Sequence, residues 1–210
     1  YYTSETILGE RDLPDSVVVI GGGYVALEWG QILHRVGVDV TILQRSDRVL
    51  SGMEGQLGRE LQRVLRVDGI EVVTGTEFEG VRSPATGGGA TSVRGDVTVE
   101  TVTDGARRGF TAESLFVATG VRPNSEGIGL DEIGVETDRD GRVVVDEHLR
   151  TTNPDVYAAG DVIGDPELET VAAKEGNHAV KNAFGGEAVT VDYDSVPAVV
   201  FTSPEVASVG

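Results

Sequence analysis

The feature that most constrains the fold is a β-branched run that stops at a glycine cluster and continues as a helical pattern. Residues 17–20, VVVI, precede GGGYVA, and Gly37 lies where a helix would end. The apolar residues between them recur at helical spacing: Val25, Trp29, Ile32, Leu33 and Val36. The segment therefore predicts a strand, a tight glycine turn and an α-helix, in that order.

The glycine cluster predicts a dinucleotide site. Gly21, Gly23 and Ala26 fit the spacing G-x-G-x-x-G/A. In this pattern the first glycine makes a tight turn, the second lets the backbone approach a pyrophosphate, and the third small residue lets the helix pack on the strand. Backbone N–H groups at the helix start, from Gly22 to Val25, would then face the phosphates. An ordinary glycine turn is the alternative.

The next predicted strand, VDVTILQR, bears on which dinucleotide binds. Asp39 has roughly the spacing expected of an acidic residue that binds a ribose 2′-hydroxyl, but the strand continues beyond it, so it lies at the wrong end. Gln44 and Arg45 stand at the carboxyl end, and Arg48 follows in the loop. A neutral residue with two cations favours NADPH over NADH. Two solvated surface arginines are the alternative.

A second helix and further strands extend the pattern. Gly69 follows a helical face and leads into the strand IEVV, which completes a βαβαβ unit. The helical face comprises Leu57, Leu61, Val64 and Leu65. Residues 78–110 alternate in polarity and predict an antiparallel meander, with ATGGGATS as a connecting loop. The strand Leu115–Ala118 ends near Gly120, where a backbone without a side chain can approach a ligand closely.

Composition excludes several classes of site. The chain has 210 residues and no cysteine, so it supplies no disulfide, no thiolate metal site and no cysteine nucleophile. Its three histidines, His34, His148 and His178, are far apart and show no metal-ligand spacing.

The charge balance bears on partners and on the cellular setting. The 17 Lys+Arg and 35 Asp+Glu give a net charge of −18, which would repel nucleic acid and anionic lipid surfaces. A densely carboxylated surface is typical of halophilic proteins, and an acidic mesophilic protein is the alternative. There is no apolar run long enough to span a bilayer and no segment of the signal-peptide type, so we expect a soluble, cytoplasmic protein.

A second segment, TTNPDVYAAGDVIG, places an acidic residue after a short apolar run. Asp161 stands where that run would leave a sheet, with a loop and another helix expected after it. Taken alone, Asp161 could cap a helix or be a loop carboxylate.

Together these segments resemble the pyridine nucleotide-disulfide oxidoreductases, which include glutathione reductase, dihydrolipoamide dehydrogenase and mercuric reductase. In chain order the matching segments are GGGYVALE, LQRSDRVL, LFVATGVRPN, TTNPDVYAAGDV and VPAVVFTSPEVASVG. The resemblance covers essentially the whole chain. It implies an α/β fold with a Rossmann-like NAD(P)-binding domain, in which a parallel sheet is joined by an antiparallel meander, and a returning segment of an FAD-binding domain.

The resemblance also assigns the second segment. It implies that Asp161, after Gly160, hydrogen-bonds the ribityl chain of FAD. The helix starting near Glu169, Thr170 and Val171 would direct its N-terminal N–H groups at the flavin pyrimidine edge.

The family organisation implies domain boundaries. Residues 1–13 would be a connector, 14–120 the NAD(P)H-binding domain, 121–192 the second segment of the FAD-binding domain, and 193–210 the start of a dimer-interface domain. The chain would then be a fragment of a homodimeric parent, inactive by itself, because the redox-active cysteine pair belongs to a lobe outside these residues.

Tyr24 and Glu28 are four residues apart and share a helix face. In relatives with this spacing, the resemblance implies that the tyrosine lies over the nicotinamide pocket. The glutamate would pair with a lysine beside the flavin. A core residue and a surface residue are the alternatives.

The subfamily is expected to be mercuric reductase, with dihydrolipoamide dehydrogenase or another disulfide reductase as the alternative. Tyr24 departs from the small aliphatic residue typical of mercuric reductases, and Gln44 departs from the acidic residue typical of dihydrolipoamide dehydrogenases. The expected cofactors are NADPH and, in the parent, FAD. A non-catalytic nucleotide-binding module remains a hypothesis of another class.

Overall fold

The computed structural model describes residues 1–83, 96–186 and 188–209. The connecting loop expected at 85–92 lies outside the described residues. The chain forms two compact units. The first comprises Tyr1–Gly120 with Val199–Val206, and the second comprises Val121–Ala198 with Ala207–Gly210. Residues 1–13 and 199–206 therefore belong to the same unit as the glycine cluster, whereas the assignment of domains to cofactors stays a prediction.

The first unit combines a parallel sheet with an antiparallel meander, which confirms the predicted fold class. Its elements are β1 (Ser16–Ile20), α1 (Tyr24–Arg35), β2 (Asp39–Leu43), α2 (Gly55–Val67), β3 (Glu71–Val73), β4 (Thr76–Arg82), β5 (Val97–Thr103), β6 (Ala106–Ala112) and β7 (Ser114–Val117). The parallel strands follow the order β3-β2-β1-β7, and the meander follows β4-β5-β6.

The central strand β1 is apolar because both of its faces are covered. Its three valines, Val17, Val18 and Val19, are fully buried, as expected of an inner strand of a parallel sheet. Helix α1 packs closely on the sheet at Gly30, where an added Cβ would come within 2.9 Å of Ile42 Cδ1. Small residues on the helix therefore set how near it approaches the strands.

The buried face of α1 does not coincide with the apolar residues that recur at helical spacing. Ile32 is 48% exposed and Val36 is 60% exposed, whereas Gln31 is only 3% exposed. The buried stripe passes through Ala26, Leu27, Gly30, Gln31 and Leu33. The spacing of the apolar residues therefore predicted the helix correctly, but it does not identify the side of the helix that is buried.

The N-terminal residues extend the sheet. Tyr2 is buried and forms a parallel bridge with Phe116 in β7. Its N–H group donates to Leu115 O at 2.7 Å, and its carbonyl accepts from Val117 N–H at 2.9 Å. The segment expected to be a connector therefore takes part in the edge of the parallel sheet.

The second unit is built around α3 (Glu169–Phe184), with 3₁₀ turns at Asp131–Ile133 and Asp161–Ile163. The last two strands, β8 (Pro197–Val200) and β9 (Val206–Val209), pair with each other. The strand expected at VYAA is absent from the described residues, where this segment makes one isolated bridge, between Arg150 and Tyr157. Among the described helices, none combines the length and apolar character needed to cross a bilayer.

Residues 199–206 are fastened to α1 by the buried glutamine. Gln31 Nε2 donates to Ser203 O at 2.9 Å, and Gln31 Oε1 accepts from Ser203 N–H at 2.8 Å. Val200 and Val206, on either side, belong to the apolar core of the first unit. Gln31 therefore satisfies a backbone donor and a backbone acceptor that are 172 residues away in sequence.

We predict that Gln31→Ala lowers the free energy of unfolding by about 1–3 kcal/mol, because it removes both bonds and leaves a buried donor and acceptor unpaired. Urea unfolding measures the loss. Gln56→Ala, at an exposed position of α2, is the matched control and should change stability by less than about 0.5 kcal/mol. Equal effects of the two substitutions would contradict the proposed role of Gln31.

Candidate cofactor sites

The first candidate site is the glycine loop, residues 21–23, at the carboxyl end of β1. Gly21 has φ +127°, and an added Cβ would collide with the carbonyl oxygen of Ala118 just beyond β7. The Gly21 N–H donates to Leu43 O, and the Ala118 N–H donates to Ile20 O, each at 2.9 Å. Only glycine fits this position, because the backbone of the loop lies directly against the backbone of Ala118.

Gly22 connects the loop to the end of β2. An added Cβ at Gly22 would lie 2.8 Å from Gln44 Cγ, so the Gln44 side chain lies against the glycine loop. The Gly22 carbonyl accepts from Leu50 N–H at 2.8 Å, which holds the loop that follows β2. Gln44 and the glycine loop are therefore neighbours at the carboxyl edge of the sheet, as the sequence predicted.

Gly23 begins the helix and leaves the loop open. It is exposed, and an added Cβ would have no neighbour within 4 Å. The first backbone bond of α1 runs from Leu27 N–H to Gly23 O at 3.1 Å. In the described part of the chain, no acceptor bonds the amides of Gly22, Gly23, Val25 or Ala26. The loop is thus an open row of backbone donors at a helix N-terminus, the arrangement that suits a pyrophosphate.

The two arginines predicted to bind a 2′-phosphate differ in their surroundings. Arg45 is exposed, and no acceptor bonds its guanidinium within the described residues. Arg48 is engaged, since Nη1 lies 3.2 Å from Asp47 Oδ1 and Nη2 donates to Ser51 O at 3.0 Å. Asp39 is the first residue of β2, at the opposite end of the strand from Gln44. Arg45 is therefore the cation better placed to accept a new anionic partner.

Tyr24 and Glu28 lie one helical turn apart on α1. Tyr24 is 43% exposed at the helix start. Glu28 Oε1 accepts from Phe201 N–H at 2.7 Å. Gly120 has φ +139°, and an added Cβ would have no neighbour within 4 Å, so the backbone there is open to approach. Glu28 thus binds residues 199–206, the segment that Gln31 also binds. The sequence did not predict this contact.

The second candidate site surrounds Asp161 in the second unit. Gly160 has φ +79°, and Asp161 begins the 3₁₀ turn that follows it. The Asp161 side chain is exposed, and no donor bonds its carboxylate in the part of the chain that the structure describes. The residue that caps α3 is Leu168, so Asp161 is not the cap of that helix. Its carboxylate is available to an external hydroxyl group.

Helix α3 begins at Glu169, as predicted, but its first amides are not equivalent. Val171 N–H donates to Leu168 O at 3.0 Å, so this amide is occupied. The amides of Glu169 and Thr170 bond no acceptor among the residues described. Two of the three predicted donors are therefore open, and the role of all three toward a flavin stays a prediction.

The surroundings of Asp161 include Glu167, a carboxylate whose pKa is raised. Burial raises the pKa of Glu167, and the negative charges of Asp165 and Asp161 raise it further, whereas Arg142 lowers it. Arg142 Nη2 lies 3.8 Å from Asp165 Oδ2 and 3.9 Å from Glu167 Oε1. The acidic side chains around the 3₁₀ turn are thus partly balanced by one arginine. No group of histidines and carboxylates in the described residues could hold a metal ion.

Residues 1–176 match the pyridine nucleotide-disulphide oxidoreductases. The chain belongs to this family. Family membership implies FAD and a pyridine nucleotide as cofactors. The open amides at the glycine loop fit a pyrophosphate, and the available carboxylate of Asp161 fits a hydroxyl group.

Several enzymes of the family are similar to the chain over nearly all of its length. It is 41% identical to a mercuric reductase of Streptomyces lividans, covering 100% of this chain and 42% of the relative. It is 38% identical to a mercuric reductase of Bacillus cereus, covering 100% of this chain and 32% of the relative. It is 38% identical to a dihydrolipoyl dehydrogenase of Geobacillus stearothermophilus, covering 97% and 41% respectively. The chain thus spans less than half the length of these relatives.

Solved structures share the fold. LpdA from Mycobacterium tuberculosis aligns with a TM-score of 0.84 at 29% identity, over 99% of this chain and 43% of that one. The HOCl-induced flavoprotein disulfide reductase RclA from Escherichia coli aligns with a TM-score of 0.83 at 23% identity, over 100% and 45%. The latter likeness supports the fold alone.

We predict that substitution of Gly21 by alanine mainly lowers stability, whereas substitution of Gly23 by alanine mainly weakens nucleotide binding. Gly21→Ala should lower the free energy of unfolding by about 2 kcal/mol or more, because of the collision with Ala118 and the positive φ. Gly23→Ala should cost less than about 1 kcal/mol, since its Cβ would face open space, yet weaken NADPH binding about tenfold or more by blocking the pyrophosphate.

Thermal unfolding and calorimetric titration measure the two effects. Gly52→Ala, at an exposed glycine with no neighbour within 4 Å of an added Cβ, controls for the added methyl group. Unchanged NADPH affinity in a well-folded Gly23→Ala protein would place the pyrophosphate elsewhere.

Proposed function

We propose that this chain supplies the NADPH site and half of the FAD site of a mercuric reductase-like flavin disulfide oxidoreductase. In the parent enzyme, the two bound cofactors would supply hydride transfer from the nicotinamide to the flavin, and a cysteine pair outside these residues would carry the electrons to Hg(II). The chain itself has no cysteine, so its residues bind and orient the two cofactors. The observation that carries the proposal is the open row of amides at the glycine loop, beside the carboxyl end of β2.

Each candidate residue has a binding role in this proposal. The amides of Gly22, Gly23, Val25 and Ala26 bind the pyrophosphate, and Tyr24 covers the nicotinamide pocket. Asp161 accepts a hydrogen bond from the ribityl chain of FAD. The open amides at the start of α3 face the edge of the flavin ring where negative charge develops on reduction.

The Glu28 contact adds a constraint on the nicotinamide side. Its Oε1 is engaged by Phe201 N–H, which leaves Oε2 to accept from a lysine or a cofactor amide. Glu28 can therefore bind Phe201 through one oxygen and contact the cofactor through the other.

The choice of NADPH rests on Gln44 and Arg45. Gln44 is neutral and lies against Gly22, so it does not repel a phosphate on the adenosine ribose. Arg45, one residue further, is exposed and bonds no acceptor among the described residues. An arginine at this place pairs with a 2′-phosphate in a bidentate manner. Arg48 has a smaller role, because Asp47 and Ser51 already engage its two terminal nitrogens, Nη1 and Nη2.

The choice of Hg(II) as terminal acceptor is supported by the similarity to mercuric reductases, at 36 to 41% identity. The dihydrolipoyl dehydrogenases, at 35 to 38% identity, support a disulfide acceptor almost as well. The residues that would bind either acceptor are not among those of the two candidate sites. We further propose that the parent is a cytoplasmic homodimer.

We predict that Arg45→Ala weakens NADPH binding about tenfold or more and leaves NADH binding unchanged within about twofold, because NADH lacks the 2′-phosphate. Calorimetric titration at constant ionic strength measures both dissociation constants. Arg35→Ala is the matched control, since Arg35 is an exposed arginine at the opposite end of α1 and its removal changes the net charge equally. Equal affinity of the unmutated chain for the two nucleotides would contradict the assignment to NADPH.

We also predict that Gln44→Glu reverses the preference. A carboxylate at the carboxyl end of β2 repels the 2′-phosphate and accepts a hydrogen bond from a free ribose 2′-hydroxyl. The ratio of NADPH to NADH dissociation constants should rise about tenfold or more. A ratio that stays constant would show that the adenosine ribose does not lie beside residue 44.

A further inference from the structure

The second unit contains a fully buried acidic side chain that neither candidate site uses. Glu175 lies on α3 and is 2% exposed. It shares the buried face of the helix with Val171 and Ala179. An apolar residue at such a position would contribute to packing, whereas a carboxylate is costly unless each oxygen has a donor.

Both oxygens of Glu175 have donors. Oε2 accepts from Gly160 N–H at 2.6 Å, and Oε1 accepts from the hydroxyl of Tyr193 at 2.8 Å. Each oxygen of this buried side chain thus has a donor within the protein, and hydrogen bonds to carboxylate oxygens are short and strong. Glu175 therefore ties the turn before Asp161 and the segment around Tyr193 to the middle of α3.

The Gly160 backbone is confined from a second direction. An added Cβ at Gly160 would lie 3.2 Å from Ala172 Cβ, so the turn is packed against α3 one helical turn before Glu175. Its φ of +79° and ψ of −162° place the chain in a region that is open to glycine. One hydrogen bond to its N–H then fixes the direction in which the next residue leaves.

We propose that Glu175 is a positioning residue of the flavin half-site, which holds Gly160 so that the Asp161 carboxylate is presented to FAD. The inference rests on the proposed function, since it assigns a purpose to Asp161. Glu175 itself does not contact the cofactor, and it acts through the Gly160 backbone.

Tyr193 reports on the same carboxylate. Burial, the hydrogen bond to Glu175 and the negative charge of Glu175 together raise the pKa of Tyr193 to about 12. Because the folded pKa is above the usual value of 10.0, Tyr193 stabilises the fold fully below pH 10 and loses this contribution as pH rises towards 12. A titration of Tyr193 followed by NMR therefore shows whether Glu175 is in place.

Three variants separate the two bonds. Glu175→Leu introduces an apolar side chain of similar size and removes both hydrogen bonds. Glu175→Gln is the conservative variant, because its oxygen can accept from Gly160 N–H while its NH₂ group donates to Tyr193. Tyr193→Phe removes the tyrosine bond and leaves the Gly160 bond in place.

Amide hydrogen exchange in the flavin-free chain tests the positioning. In Glu175→Leu, exchange at Gly160 should accelerate about tenfold or more relative to exchange at Val135, whose N–H donates to Leu130 O in the same unit, away from the turn at Asp161. Glu175→Gln and Tyr193→Phe should keep Gly160 within about threefold of the unmutated chain. Equal acceleration at Gly160 and Val135 would mean a general loss of stability and would overturn the proposal.

The dissociation constant of FAD from the flavin-loaded full-length protein tests whether Glu175 supports FAD binding. It should rise about tenfold in Glu175→Leu and return to within about threefold in Glu175→Gln. Faster exchange at Gly160 with an unchanged FAD affinity would overturn the positioning role and leave the proposed function intact. An unmutated protein that binds no FAD would refute the proposed function, and the positioning role with it.

Discussion

The close approach of Gly21 to the carbonyl of Ala118 is the constraint on which the first candidate site depends. Because β1 and β7 end side by side, the chain leaving β1 must turn at once without a side chain, and α1 begins three residues later. The first amides of α1 have no intrahelical acceptor, as at the start of any α-helix. They lie at the edge of the sheet where Gln44 and Arg45 also lie. In the proposed function, backbone geometry therefore provides the pyrophosphate site, and Gln44 and Arg45 distinguish NADPH from NADH.

The second unit positions its candidate residue by a different interaction. Gly160 also has a positive φ and precedes the turn that carries Asp161. The Gly21 N–H donates to a backbone carbonyl, Leu43 O at the end of β2, whereas the Gly160 N–H donates to the buried carboxylate of Glu175. The conformation at Gly160 therefore depends on a side chain, and the conformation at Gly21 depends on the backbone of the sheet.

The parts of the structure that local patterns determine were predicted from sequence. The run of valines, the glycine spacing and the helical pattern gave β1, the glycine loop and α1, and the position of Gln44 after β2 followed from strand length. Long-range partners were not predictable in this way. Gln31 and Glu28 bind Ser203 and Phe201, more than 170 residues away, and nothing near them in sequence marks those contacts. The same holds for Glu175, which a helical pattern would place on the surface, and for VYAA, whose composition favours a strand that the described chain does not form.

The most direct test of the account is an amide chemical-shift titration of the isotopically labelled chain with NADPH. The account predicts that the largest shifts occur at the amides of Gly22 to Ala26, with a smaller set at Gln44 and Arg45 and none at the start of α3. Shifts centred elsewhere would contradict the central claim. The clearest contradiction would be a response confined to the cavity of about 540 Å³ between β3 and the β5–β6 turn, lined in part by Arg66 and Arg108, with the glycine loop unaffected.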